Sequence, residues 1–116
     1  MPNKPNLNEA FVDFTKAGLD QEFTLFKIYT RPIRQLGKEG EGQYSLNCTY
    51  PLAQFETFPE PVGLLKYMAR AYLLHCRQTT GVPFENWIIE FSPIMERYQV
   101  PSHLFLDTAR DRAWLL

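Results

Sequence analysis

The sequence has almost no cysteine: Cys48 and Cys76 are the only two among 116 residues. Two thiols close at most one bridge, so no disulfide framework is available. A chain of this length does not need one, because staples become necessary mainly in much smaller chains. Charge excess is missing as well. Lys plus Arg number 12, Asp plus Glu 13, and the formal net charge is −1. That balance argues against a protein whose main task is gripping a phosphate backbone, although it is compatible with a local basic patch. No apolar run approaches the roughly 18 residues of a membrane-spanning helix. The opening "MPNKPNLNEAF" has no apolar stretch of the signal-peptide kind. The expectation is a reducing, cytoplasmic setting with thiols unbridged and no membrane contact. In that setting the match of Asn47-Cys48-Thr49 to the Asn-x-Thr glycosylation pattern is read as chance.

Catalytic signatures are missing too. There is no GxGxxG, no GxxxxGK[ST], no GxSxG, no HExxH and no CxxC. The glycine-rich "GKEGEG" at 37–42 carries two glutamates that would repel a phosphate, and it lies between expected strands. It reads as a turn. No cofactor and no metal are expected.

What is present is aromatic. Nine Phe, six Tyr and two Trp make 15% of the chain, which implies large contact areas in a core or at an interface. Residues 1–6 read as a frayed polar tail and 7–116 as one globular domain. Leu7, Ala10, Phe11, Phe14 and Ala17 follow the spacing of one buried helical face, giving a first helix over 8–17 that Gly18 ends. "EFTLFKIYTRPIRQL" fits a helix poorly and reads as a strand that stops near Pro32. "QYSLNCTYPL" alternates cleanly, with Tyr44, Leu46, Cys48, Tyr50 and Leu52 on one side. The two strands form a hairpin, to which 53–58 offers a short addition.

A second helix covers about 61–79, with Pro61 at its first position and Gly81 just beyond its end. On a wheel its apolar residues cover well over half the circumference, which predicts a central buried helix or one half of a subunit interface. The third helix starts near Pro83. Phe84, Trp87, Ile88, Phe91, Ile94, Met95 and Tyr98 form one stripe that stays in phase through Pro93. For the last element, a helix aligning Phe105, Leu106, Ala109, Ala113 and Leu116 is preferred over a hairpin of "HLFLD" and "RAWLL". The fold expectation is therefore α+β and helix-rich: an N-terminal helix, a β-hairpin, then three helices, in a single domain.

His75 and Cys76 are adjacent, but neighbours on a helix point about 100° apart and cannot form a nucleophile–base pair. Both are read as core residues, His75 facing the apolar arc between Leu64 and Met68. The other histidine, His103, sits one helical turn from Asp107, yet no ligand cluster has metal spacing. The basic residues fall in two groups. Arg31, Arg34 and Lys38 precede the glycine-rich turn, while Lys66, Arg70 and Arg77 line the open stripe of the second helix. If the groups converge they make an anion-binding surface with Tyr29 and Tyr67 available for stacking. At the C-terminus, Leu104, Trp114 and Leu115 fall off the apolar stripe and are either covered by the N-terminal segment or exposed as candidates for partner contact.

These features favour a non-enzymatic protein–protein interaction module: a small subunit, an adaptor, or an assembly or regulatory factor that contacts another protein or itself as a homo-oligomer. The alternative is a nucleic-acid or anion binder using the two basic groups, which the net charge disfavours. A small metalloprotein or enzyme centred on His75, His103 and Asp107 is the third reading.

Overall fold

The computed structural model describes residues 22–30 and 44–116. The expected tail, the helix over 8–17, the stop at Pro32 and the glycine-rich turn all lie outside the described residues. Within them the architecture is α+β. Strands β1 (Glu22–Thr30) and β2 (Ser45–Pro51) are followed by a one-turn helix α1 (Leu52–Phe55) and the long helix α2 (Pro61–Thr80). Strand β3 (Trp87–Phe91), strand β4 (His103–Phe105) and helix α3 (Ala109–Leu115) complete the order. The four strands form one antiparallel sheet in the order β2-β1-β3-β4.

The hairpin of β1 and β2 is present as the alternation implied. Thr30 clasps the end where β1 leads on toward β2: its N–H donates to the Tyr44 carbonyl at 3.0 Å, and the Tyr44 N–H donates to Thr30 Oγ1 at 3.0 Å. The β1 pattern is not a clean alternation because the register shifts between Thr24 and Phe26. Leu25 is the extra residue, and both it and Phe26 are fully buried. A bulge turns two consecutive side chains toward one core in this way.

α2 begins at Pro61 and ends at Gly81 with φ 77°, a left-handed position that suits a residue without a Cβ. The Gly81 N–H closes the last turn on the Arg77 carbonyl at 2.8 Å. One face of α2 is buried through Leu65, Met68, Ala69, Tyr72, Leu73 and Cys76. Tyr72 meets Phe26 of β1 edge-on, with ring centroids 5.8 Å apart. The opposite side is exposed, which corrects the expectation of a helix buried all round. A wheel counts apolar residues but not the layers available to cover them.

Three further expectations change. The segment 53–58 forms no strand; Leu52–Phe55 is a helical turn that buries Phe55. The third helix does not form. Phe84–Asn86 and Pro93–Tyr98 are short 3-10 segments, and between them Trp87–Phe91 is a strand paired on both sides. The last element is divided: β4 carries 103–105, and only Ala109–Leu115 is helical.

α3 is tied to β4 by its own first turn. Thr108 Oγ1 accepts the Asp111 N–H at 3.3 Å, an N-cap. The buried Asp111 carboxylate accepts the Phe105 N–H through Oδ2 at 2.8 Å, and the Arg112 guanidinium donates to the Leu106 carbonyl at 2.7 Å. Replacing Asp111 with Ala leaves the Phe105 N–H without its acceptor. The expected loss is about 1–3 kcal/mol, read as a lower urea midpoint with an unchanged slope.

Candidate functional site

Each of the three cations of α2 touches a residue of another segment. Lys66 Nζ lies 4.3 Å from the centroid of the Trp114 ring. Arg70 donates from Nη1 to the Leu115 carbonyl at 2.9 Å, beside the end of α3. Arg77 lies over Phe84, 5.4 Å from the ring centre. Each therefore braces α2 against the C-terminal helix or the segment leading into β3. Among the described residues none of the three has a carboxylate partner. Arg31, Arg34 and Lys38 lie outside the described residues.

Leu104 and Leu115 belong to the core and are removed from the surface set. Leu104 sits on β4 opposite Ile89, and Leu115 closes α3 against the sheet's helical layer. Their assignment to the surface came from a helical phase run through a segment that begins as a strand. Trp114 is half-buried, its ring edge-on to Phe91 at 5.9 Å and beneath Lys66.

The histidine–cysteine neighbours divide. Cys76 is fully buried and His75 is exposed, so His75 is not a core residue. The buried arc of α2 centres on Leu65, Ala69 and Cys76, and His75 falls at its border. Burial pushes the Cys76 thiol up to about 11 and the Cys48 thiol well above its usual range. Thiols so held in neutral form are poor nucleophiles. His103 stands on β4, not on a helix. Its Nε2 is 3.9 Å from Glu90 Oε1, and its ring stacks on Phe105 at 5.7 Å. Among the described residues, no group of three His, Cys, Asp or Glu side chains is placed to hold a metal ion.

Among the described residues two outward surfaces stand out. The first is the sheet face away from α2. It carries the row Lys27, Glu90 and His103 beside the row Tyr29, Ile88 and Phe105. A depression of about 210 Å³ adjoins it, lined by Thr24, Phe26, Lys27, Glu90, Phe91, Ser92 and Pro93. It is below the ~300–1,000 Å³ of most small-molecule sites. The second is the outer side of α2. Tyr67 is 60% exposed, Leu74 52%, and Leu116, which follows the carbonyl held by Arg70, 78%. Tyr67 and Leu74 are seven residues apart, about two helical turns, and so share one side. The sequence signal for this surface was the wide apolar arc itself: residues opposite Leu65 and Ala69 had nowhere further to pack.

No helix among the described residues is long and apolar enough to cross a membrane. No protein-family model, curated protein or solved structure matches the chain.

Proposed function

We propose that the protein is a non-enzymatic interaction module of the cytoplasm, a small subunit, adaptor or assembly factor, that binds another protein through the outer side of α2. The carrying observation is the exposure of Tyr67 and Leu74 on one side of a 20-residue helix. Large apolar side chains grouped on a surface favour a partner that removes them from water. Tyr and Arg are the residue types that dominate interface energetics, and Arg70 lies between the two apolar residues.

The test is co-purification from native extract with the wild-type chain and with Leu74→Asp. Position 74 is exposed, so the folded state is expected to survive, which urea denaturation checks. Specific partners should drop at least tenfold in abundance. Retention of the same partners at the same level would refute the reading.

A further inference from the structure

Resting on that reading, we infer that the partner meets α2 with an amphipathic helix whose apolar stripe is flanked by Asp and Glu. Gly63, Tyr67, Arg70, Leu74 and Arg77 follow one another at intervals of four, three, four and three residues. Residues so spaced share one side of the helix, a seam along which a second helix can lie nearly parallel. The seam spans about 21 Å at 1.5 Å per residue, some four turns of a partner helix. Gly63 at one end is exposed, and a Cβ built there would meet only the Glu60 side chain, whose Oε1 lies 3.6 Å away, so the basic part of the seam is Tyr67 to Arg77.

Charge selects the occupant. Pro61–Thr80 contains Lys66, Arg70 and Arg77 and no Asp or Glu at all, in a chain whose net charge is −1. The rest of the chain is therefore net acidic, and α2 is its basic element. The three cations are fixed in place by Trp114, the Leu115 carbonyl and Phe84, so a carboxylate partner finds them already oriented. A second α2 laid on the first would bring like charges together along the seam. A phosphate backbone would match the charge but leave Tyr67 and Leu74 unused. Two large apolar side chains are too few for the apolar face of a helix lying in a membrane surface.

The experiment is a displayed library of helical peptides selected on the full chain. Each peptide carries leucines at i, i+4 and i+7, and its flanking positions vary among Glu, Gln and Lys. Glu should be enriched over Lys at the flanks by at least tenfold. The best peptide should bind Leu74→Asp and Tyr67→Ser at least tenfold more weakly than wild type, and its affinity should fall as salt rises. Arg77→Gln, which leaves the Arg70 contact to α3 intact, should reduce the Glu preference. Selection of Lys or Gln flanks, or no selection at all, overturns the inference. So does binding that Leu74→Asp leaves unchanged, tighter binding of a mixed single-stranded oligonucleotide, or a dimer in light scattering that Leu74→Asp abolishes. If capture from extract depends on Leu74 while the library shows no acidic preference, the acidic-helix inference falls and the interaction reading stands.

Discussion

Trp87→Ala is expected to remove about 3–5 kcal/mol of stability. That is most of what a domain of this size has, given totals of roughly 5–15 kcal/mol. Trp87 is fully buried at the start of β3, where it pairs with Thr30, and its ring meets Tyr44 edge-on at 5.8 Å. Its indole Nε1 donates to the Val82 carbonyl at 3.2 Å, linking the end of α2 to the sheet. Truncation leaves a cavity and an unpaired carbonyl together. Trp87→Phe separates the two contributions: it fills most of the volume but loses the donor, so about 1–3 kcal/mol should go. Urea denaturation of the three chains should give midpoints in the order wild type, Phe, Ala. Equal midpoints for wild type and Ala would contradict the placement of Trp87.

The second large effect is alkaline destabilisation. Cys48 of β2 lies close to Tyr72 and Cys76 of α2, and burial raises all three above their usual values, Cys76 to about 11 from 9.0. A group whose pKa is higher folded than unfolded stabilises the fold fully below the unfolded value. That contribution is lost as pH climbs through the folded value. For Cys76 the window runs from pH 9.0 to about 11. In it the unfolded chain has released its proton and the native chain has not. Each such group lowers stability by up to about 1.4 kcal/mol per pH unit. Cys48 adds in the same direction, and Tyr72 joins at higher pH. Urea midpoints measured from about pH 8 to 10.5 should hold up to pH 9.0 and fall above it, and Cys76→Ala should flatten that fall. A midpoint constant over that range would rule the effect out.

The hairpin and α2 were legible because their signals are local. β2 alternates, since only one of its faces is covered. Pro61 and Gly81 mark ends that depend on backbone sterics alone. β3 was not legible. Ile88 on the outer face is buried almost as fully as Ile89 on the α2 side, so the alternation that marks a strand covered on one face is absent. Its other marker misleads. Trp87, Phe91 and Met95 are spaced by four, which suits a strand's period of two and a helix's period of 3.6 equally. Of the candidate site, the basic identity of Lys66, Arg70 and Arg77 was visible, but their bracing role was not. Trp114 and Phe84 reach them only through the tertiary fold. Leu104 and Leu115 were assigned to the surface by the same error of phase that extended a helix across β4.

The strand order has a consequence for how the chain reaches this state. β1 and β2 follow each other in sequence, as do β3 and β4, but the middle of the sheet joins β1 to β3, where Phe26 faces Phe91. That ladder carries the largest loop-closure entropy, and the layer of α2 rests on it. Local pairing of a hairpin takes microseconds. The search that brings two distant strands into register is what slows a sheet of this kind. Until it succeeds, β1 has one unpaired edge and α2 has no surface to cover. The interval before β3 docks is therefore when this chain is most open to associating with its own copies.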